Sequence, residues 1–300
     1  MHKRYNWAAI SIFIISPSTW ALKFELNPNS DLVGEVQSYV VEKNETFGEI
    51  GRRFDIGMYE MIEANPTINP WIPELGAVLT IPSQFVLPPG KREGIVLNQA
   101  ELRLYYYDSK HQSVYTYPVG IGLKKWPTPI GKTKIIVKTK DPTWTPTPSI
   151  RAEHALAGEI LPPNVPPGKD NPLGDYALRL GFPNILMHGT NQPGGIGLRG
   201  SHGCLRFMPQ DVKELFSLVK VGTPVEIIHA PFKVGLKEGE LYIEAHQALN
   251  EERFNGSDNI NLLIKKIEQK NKAGLNLDWK KAGQIAKRCS GMPEKVDLAQ

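Results

Sequence analysis

The amino-acid sequence predicts a mainly β protein, and three observations support that class. Segments that alternate in polarity or are rich in aromatic residues recur between residues 94 and 229, bounded by glycine and proline as strands usually are. Only residues 209–219 in that region carry apolar side chains at helical spacing, with Pro209 in the first turn. A compact, partly helical pattern precedes the region and a more polar one follows it. We therefore expect a β domain with one main helix and an added unit on either side.

The strands of the central region are expected at residues 101–107, 113–121, 132–138, 176–180 and 225–229. Two long proline-rich loops lie among them, at residues 141–149 and 161–172. Loops of that length inside a compact domain commonly serve as lids or walls of a binding site.

The first 21 residues have the organisation of a secretory signal peptide. Lys3 and Arg4 form a short basic start, an almost wholly apolar run follows from residue 7 to residue 15, and residues 19–21 offer a small-x-small cleavage pattern. The apolar run is about half of the ~20 residues that a membrane-spanning helix needs, which argues against an anchor. We expect cleavage after Ala21 and an exported protein.

A strand–helix–helix–strand unit is expected over residues 38–83. Apolar residues three and four positions apart predict short amphipathic helices at residues 46–54 and 58–64. Asn65-Pro66 ends the second helix, since a residue before proline disfavours the helical conformation. A strand at residues 76–82 closes the unit.

That unit resembles a LysM domain, a small module that binds the N-acetylglucosamine-containing backbone of peptidoglycan and chitin. The matching residues are Tyr39, Val41, Thr46, Ile50, Phe54, the Asn65-Pro66 turn, Gly76, Leu79, Ile81 and Pro82. A spacer unit without a ligand is the alternative. A lead-in segment without clear periodicity, residues 22–37, precedes the unit, and a linker with a Pro-Pro-Gly sequence, residues 84–93, follows it.

A cysteine flanked by glycine and histidine is the strongest chemical signal in the chain. Residues 201–206 read Ser-His-Gly-Cys-Leu-Arg, and His188 opens a second motif, His-Gly-Thr-Asn. A thiol becomes a good nucleophile when a nearby imidazole removes its proton. Gly203 leaves room beside the sulfur for a substrate carbonyl and leaves backbone N–H groups free to hold an oxyanion. The pattern predicts an acyl-transfer site with Cys204 as its nucleophile.

His188 is a better candidate for the base than His202, because it approaches the cysteine from a separate segment. No carboxylate is near in sequence, so a backbone carbonyl around Gly189 or Gly203 is expected to orient the base. Arg206 is permanently charged and is expected to hold a substrate carboxylate.

Two other interpretations of these residues are weaker. Two histidines and one cysteine make a thin ligand set for a metal, and we expect neither a metal nor a cofactor. A buried structural cysteine beside satisfied histidines is the second alternative.

The motifs resemble the signature of the L,D-transpeptidases of the YkuD family. Supporting matches are residues 128–131 (Thr-Pro-Ile-Gly), 171–174 (Asn-Pro-Leu-Gly) and 195–197 (Gly-Ile-Gly), and the likeness covers about residues 94–229. It implies a β-sandwich-like catalytic domain with Cys204 and His188 at its chemical centre and with His202 and Gly203 in support. For the substrate-binding surface we assign Arg206, Gly189, Thr190, Asn191, Ser201, Trp126 and Trp144.

The resemblance also implies a reaction. The Cys204 thiolate attacks the carbonyl of meso-diaminopimelate in a tetrapeptide stem of peptidoglycan and expels D-alanine, and an amine then takes the thioester. Signal peptide, LysM unit, catalytic domain and a C-terminal extension (residues 230–300) occur in the same order in periplasmic enzymes of Gram-negative bacteria that attach an outer-membrane lipoprotein to peptidoglycan. The expected acceptor is therefore a lipoprotein's C-terminal lysine, or another periplasmic protein, and the expected compartment is the periplasm.

Three other functions are compatible with the same residues. A second diaminopimelate as acceptor would make a 3-3 cross-link, and water would make a carboxypeptidase or a hydrolase that releases anchored protein. A wall-binding protein with a vestigial site is the third, and the intact motifs argue against it.

Charge and cysteine content fit an exported wall enzyme. The net charge is +4, and no dense basic stripe with interleaved aromatics indicates nucleic acid as a partner. A disulfide between Cys204 and Cys289 would silence the site, so Cys289 is expected to be a bystander. The C-terminal extension is expected to pack on the domain or to face a partner, with a strand at residues 241–245 and helices at residues 260–267 and 279–287.

Overall fold

The computed structural model describes residues 21–249 and 256–297, so the predicted signal peptide lies outside the described residues except for Ala21. The strands are β1 (Leu22–Glu25), β2 (Leu32–Gly34), β3 (Gln37–Val40), β4 (Val78–Ile81), β5 (Gln84–Val86), β6 (Gly94–Asn98), β7 (Arg103–Asp108), β8 (Ser113–Pro118), β9 (Ile121–Gly122), β10 (Gly131–Lys140), β11 (Tyr176–Leu180), β12 (Leu186–His188), β13 (Arg199–Ser201), β14 (Leu205–Arg206), β15 (Pro224–Ile228), β16 (Phe232–Lys237), β17 (Glu240–Ala245) and β18 (Glu294–Lys295). The helices are α1 (Phe47–Arg53), α2 (Met58–Ala64), α3 (Pro148–Leu156), α4 (Pro209–Leu218), α5 (Gly256–Lys270) and α6 (Trp279–Arg288).

A curled sheet of nine strands forms the centre of the molecule, in the order β1-β8-β7-β6-β15-β10-β11-β12-β14. Most neighbours are antiparallel, but β6–β15 and β12–β14 are parallel. The β6–β15 pair joins strands that are distant in sequence, and the β12–β14 pair joins strands that a short crossover separates. The prediction of a mainly β catalytic domain is confirmed.

The inner face of this sheet packs against α4. Pro209 occupies the first turn of that helix, where its missing N–H costs nothing, and Val212 and Leu215 point into the core. The helix ends at Leu218, before Gly222, because Val219 turns to an extended conformation and its N–H bonds the Leu215 carbonyl. The helix that follows the cysteine motif is thus where the sequence placed it, and one residue shorter.

The N-terminal unit, defined here as residues 37–81, has the expected strand–helix–helix–strand order, with β3 and β4 paired antiparallel. Thr46 and Glu49 form a capping box at the start of α1. The Asn65 side chain bonds the Met61 carbonyl and both backbone groups of Thr80, which fixes the end of α2 to β4.

The N-terminal unit is not an independent domain joined to the rest of the protein by a linker. Its buried side chains form one continuous core with Val96, Tyr105, Tyr107 and Val114 on the outer face of the central sheet. Hydrophobic area removed from water in this way stabilises by about 25 cal/mol per Å², so the two units fold against each other.

Two boundary predictions need correction. The lead-in segment at residues 22–37 contributes β1, which pairs with β8 of the central sheet, and β2. The linker at residues 84–93 begins with β5, which pairs with β2, and Phe85, Val86 and Leu87 are buried. Strands of three or four residues are too short to establish a periodicity in the sequence. Both segments therefore belong to the folded body.

The C-terminal extension is a folded α/β unit with its own core. Strands β16, β17 and β18 form an antiparallel sheet, and α5 and α6 cover it with Leu263, Ile267, Ala282 and Ile285. The predicted strand and both helices are present, and β16 is an addition. Among the described residues, no helix is both long and apolar enough to cross a membrane.

A buried charge cluster ties the three units together. Lys233 of β16 bonds Glu101 at 2.6 Å and Glu244 at 2.7 Å, and all three side chains are fully buried. His246 bonds Glu244 at 2.7 Å through Nε2 and Glu63 of α2 at 2.9 Å through Nδ1. We call these five residues the Lys233 cluster. Each charge has an opposite partner, as buried charges require.

Candidate active site

The two sequence motifs meet at one edge of the central sheet. Strands β12 and β14 pair in parallel with His188 opposite Arg206, and the His188 carbonyl accepts a hydrogen bond from the Phe207 N–H at 2.9 Å. Cys204 directly precedes β14, and its Sγ accepts a hydrogen bond from the Leu186 N–H at 3.4 Å. Leu186 lies two residues before His188 on β12, and Arg206, the partner of His188, lies two residues after Cys204. The predicted nucleophile and the predicted base are therefore held at the same edge of the sheet, on neighbouring strand segments.

The Cys204 thiol is held in its neutral form. Its S–H donates to the Asn184 carbonyl at 3.5 Å, and burial raises the pKa of the thiol above the usual value for cysteine. The Leu186 N–H and the positive charges of Arg206 and Arg179 act in the opposite direction. Because the thiolate is the nucleophile, a base must take the proton when substrate is attacked.

The state of His188 suits that task. Its ring is buried, and Nδ1 lies 2.6 Å from the Gly189 carbonyl oxygen. A carbonyl can only accept, so Nδ1 carries the proton and Nε2 has a free lone pair. Burial lowers the pKa of His188 to about 4, with the charge of Arg206 in the same direction. The orienting carbonyl that the sequence placed near Gly189 or Gly203 is that of Gly189.

The cysteine sits at the end of a tightly held turn. Gly203 has φ +96, and an added Cβ would lie 3.1 Å from the Ile185 side chain, so this position requires glycine. Thr128 Oγ1 donates to the Gly203 carbonyl at 2.9 Å, and Ser201 Oγ donates to the Cys204 carbonyl at 2.5 Å. Within residues 21–249 and 256–297, no protein acceptor takes the N–H groups of Gly203 and Cys204.

His202 faces the chain excursion between β10 and β11, which we call the lid (residues 141–175). The Trp126 ring stacks on its imidazole with centroids 3.9 Å apart, and Nε2 contacts the carboxylate of Glu153 on α3. Lys125 bonds the other oxygen of Glu153 at 2.6 Å and lies over Trp126. This contact makes His202 part of the wall between the site and the lid, while His188 keeps the free nitrogen.

The base of the lid is anchored by Asn171 and Trp144. The backbones of Trp144 and Val165 exchange hydrogen bonds of 2.9 and 2.8 Å. The fully buried Asn171 donates to the carbonyls of Pro142, Val165 and Pro166. The Asn-Pro-Leu-Gly match in the sequence therefore has a structural role, and Trp144 is a half-buried member of the lid's stem.

The remaining predicted substrate-binding residues divide into two groups. Thr190 and Ser201 are buried and bond neighbouring backbone groups, so they shape the site without presenting polar atoms to a ligand. Asn191 is exposed and bonds the Asp170 carbonyl of the lid at 3.3 Å. Arg206 is half-buried, and in the part of the chain that the structure describes its guanidinium donates to no protein acceptor.

Two residues of the site were not predicted from the sequence. Arg179 lies on β11, and its charge lowers the pKa of Cys204. Glu153 lies on α3, a helix that buries no side chain and so has no apolar stripe to detect. Its start was detectable, because Thr147 caps the helix and Pro148 occupies the first turn.

Neither cysteine forms a disulfide, and the two have different surroundings. Cys289 ends α6 in a left-handed conformation at φ 48, and its S–H donates to the Ala286 carbonyl at 3.2 Å. Burial raises the pKa of this thiol to about 11, which leaves it unreactive near neutral pH. Among the described residues, one group has metal-ligand geometry (Glu101, Glu244 and His246), and Lys233 already occupies its carboxylates.

A thiol and a neutral, oriented imidazole at one sheet edge, with backbone N–H groups left unbonded, indicate a class: the cysteine acyltransferases. Comparison with known proteins agrees. The family model for the YkuD L,D-transpeptidase catalytic domain matches residues 92–227. The probable L,D-transpeptidase YcfS of Escherichia coli is 40% identical over 285 residues, which cover 93% of this chain and 88% of YcfS.

Further relatives span nearly the whole chain. The probable L,D-transpeptidase ErfK/SrfK of Salmonella typhimurium is 36% identical over 96% of both proteins. A crystal structure of an Enterococcus faecium L,D-transpeptidase aligns with 51% of this chain and 56% of its own, at 21% identity and a TM-score of 0.35, too low to add to the assignment. The chain belongs to the YkuD family of L,D-transpeptidases.

Proposed function

We propose that the enzyme transfers an acyl group from peptidoglycan to a protein amine, with Cys204 as nucleophile and His188 as base. The observation that carries this assignment is the hydrogen bond of His188 Nδ1 to the Gly189 carbonyl, which leaves Nε2 as an acceptor at the sheet edge that also holds Cys204. The donor is the carbonyl of meso-diaminopimelate in a tetrapeptide stem, and D-alanine is the leaving group.

The steps balance through His188. Cys204 Sγ attacks the carbonyl while its proton moves to His188 Nε2, and the N–H groups of Gly203 and Cys204 hold the oxyanion. Each such donor is worth roughly 3–4 kcal/mol in other acyl-transfer enzymes. The intermediate collapses to a thioester as His188 gives the proton to the D-alanine nitrogen. An attacking amine then loses a proton to His188, which returns it to the departing thiolate.

Positive charge around the cysteine favours an anionic substrate. Arg206 is half-buried and, within the described part of the chain, has no carboxylate as partner, and Arg179 also acts on the thiol. Peptidoglycan stems carry free carboxylates, which a guanidinium binds well. We assign Arg206 to the donor stem. Trp126, Trp144, Asn191 and the lid then form the wall that faces the acceptor.

We further propose that the N-terminal unit is a LysM domain that binds the glycan strands. Its strand–helix–helix–strand order and capping box support this assignment. Trp71, Ile72 and Leu75 are 64%, 74% and 64% exposed on the loop after α2, and exposed apolar side chains of this kind suit the face of a sugar ring.

Export to the periplasm completes the proposal. Cleavage after Ala21 would make Leu22 the first residue, and Leu22 already begins β1, with its N–H on the Asp55 carboxylate at 3.1 Å. A lysine at the C-terminus of an outer-membrane lipoprotein is the acceptor that we favour.

Mass spectrometry of the mature protein, mixed with a tetrapeptide muropeptide and a lysine-terminated peptide, tests the proposal. We expect a muropeptide–peptide adduct with loss of D-alanine, and none from Cys204→Ala. Joined muropeptides alone would indicate 3-3 cross-linking, and bare tripeptide alone would indicate a hydrolase. Either result would remove the proposed acceptor.

A further inference from the structure

The N-terminal unit touches the catalytic domain at the loop between the two catalytic motifs. Gly57, just before α2, packs its backbone on Gly197. A Cβ added to Gly57 would lie 3.0 Å from Gly197 Cα, and one added to Gly197 would lie 2.6 Å from Gly57 Cα. The Tyr59 N–H donates to the Gly197 carbonyl at 3.3 Å. Backbone contacts this close leave little room for either segment to move.

The Gly57 side of this contact is fixed to the central sheet. Arg103 of β7 is fully buried, and it bonds Glu60 at 2.6 and 2.9 Å and the Asp55 carbonyl at 2.7 Å. Glu60 in turn accepts the Gly57 N–H at 2.6 Å. A buried, bidentate pair of this kind is strongly destabilising to break, so the turn before α2 has a set position.

The Gly197 side leads directly to the cysteine. The Leu198 carbonyl accepts the Ile121 N–H at 3.1 Å, and Ser201 of β13 pairs with Gly122. Gly122 also donates to Thr128 Oγ1, which donates to the Gly203 carbonyl. Ser201 Oγ holds the Cys204 carbonyl. Each link between Gly197 and Cys204 is thus a backbone pairing or a buried hydrogen bond.

We infer that the N-terminal unit is a positioning element of the transpeptidase site: through the Gly57–Gly197 contact it sets the loop that presents Cys204. The unit then contributes to the chemical step as well as to any glycan binding. Acyl transfer is sensitive to such placement, since a shift of about 1 Å at the reacting atoms can lower the rate about 100-fold.

Gly57→Ser is the variant that tests this role. Gly57 is the N-cap of α2 with φ −75 and ψ 158, a conformation that serine adopts readily and in which it caps a helix well. The new Cβ would, however, lie 3.0 Å from both Gly197 Cα and Glu60 Oε2, so each must shift by a few tenths of an ångström. The serine cap offsets the crowding of Glu60, so we expect stability to be kept while catalysis falls, which a purely structural role for the contact would not produce.

The control is Gly48→Ala in α1 of the same unit, where an added Cβ meets only ordinary contacts at 3.7 Å. The substrate is a soluble tetrapeptide without glycan, so glycan binding cannot affect the result. We measure kcat, KM, the rate at which iodoacetamide alkylates Cys204, and Tm.

For Gly57→Ser we expect kcat to fall about 10-fold with KM within about twofold, a changed alkylation rate, and an equal or higher Tm. Gly48→Ala should keep the wild-type kcat. Wild-type kcat in Gly57→Ser would overturn the inference. A loss of kcat that follows a lowered Tm, or that appears equally in Gly48→Ala, would also overturn it. None of these outcomes depends on which acceptor the enzyme uses.

Discussion

His188 and His246 are both almost completely buried, yet near neutral pH the first is uncharged and the second is a cation. His188 has one partner, the Gly189 carbonyl, and burial lowers its pKa to about 4. His246 lies between the carboxylates of Glu63 and Glu244. Burial alone would lower its pKa too, but the two acidic partners raise it to about 10. Hydrogen-bond and ionic partners decide whether a buried imidazole is charged. Burial strengthens their effect on its pKa.

The difference matches what each residue can do. Both nitrogens of His246 are occupied, so it is a fixed cation that joins the N-terminal unit to the C-terminal extension. His188 keeps Nε2 free and uncharged, as a base must. Among the described residues, those that act on the Cys204 pKa include two arginines and no carboxylate, so an incoming substrate anion meets positive charge at the thiol.

The largest expected effect is at the centre itself. Cys204→Ala should abolish transfer without loss of fold, and His188→Ala should lower kcat by about 10²–10⁴-fold, which is what a positioned general acid–base typically contributes. His202→Ala should cost less, because its imidazole bonds Glu153 and stacks on Trp126. Single-turnover acylation followed by mass spectrometry measures all three. If His202→Ala were the more damaging change, the two histidines would have to exchange roles.

The Lys233 cluster, which holds His246 as a fixed cation, is tested by Lys233→Met. The substitution leaves Glu101 and Glu244 buried with less compensation and should lower the free energy of unfolding by about 3–5 kcal/mol. Lys132→Met is the control, since Lys132 is 81% exposed and 3.8 Å from Glu226, and it should change stability by less than about 0.5 kcal/mol. Urea unfolding measures both. Equal effects would show that the cluster contributes no more than a surface pair.

The pH dependence of stability should separate the two histidines. The raised pKa of His246 contributes stability that is complete below its unfolded value of 6.5 and is lost as the pH rises through about 10, up to about 5 kcal/mol. The lowered pKa of His188 acts the other way: it costs stability as the pH falls from 6.5 to about 4, by about 3 kcal/mol at most.

Urea unfolding of wild type, His246→Gln and His188→Gln over pH 4 to 10 gives the two contributions by difference. The wild-type advantage over His246→Gln should shrink on the alkaline side. On the acid side, the free energy of unfolding of wild type should fall relative to that of His188→Gln. Two parallel curves would mean that both histidines have the same charge.

The smallest expected effect is at the lid. Glu153→Gln weakens the contacts to His202 and Lys125, which are partly exposed, so stability should change by less than about 0.5 kcal/mol. A looser lid should raise KM about threefold while leaving kcat nearly unchanged. Glu159→Gln, which affects only the exposed pair with His154, is the matched control. Steady-state kinetics that show the same KM for both variants would remove the lid contact from substrate binding.

Much of the fold and the centre of the site could be predicted from the sequence. Long alternating strands, the helix after Pro209 and the two short helices before it all have periodicities that survive in a single sequence. Cys204 and His188 were identifiable because an imidazole, a glycine and a thiol in that order, with a second histidine upstream, are typical of an acyl-transfer site.

What could not be predicted depends on tertiary partners. β1 and β5 are too short to show a pattern and are strands because β8 and β2 lie beside them. Lys233 and Glu244 looked like members of a polar tail, since nothing local indicates that a charge will be buried against Glu101. Glu153 and Arg179 join the site only through the path of the chain between β10 and β12.

The Lys233 cluster also makes the C-terminal extension a condition for burying acidic groups of the other two units. Lys233 and His246 belong to the extension, and they are the cations that compensate Glu101 and Glu63. An uncompensated buried carboxylate costs several kcal/mol. Removing the extension is therefore expected to weaken the contact of the N-terminal unit with the central sheet as well.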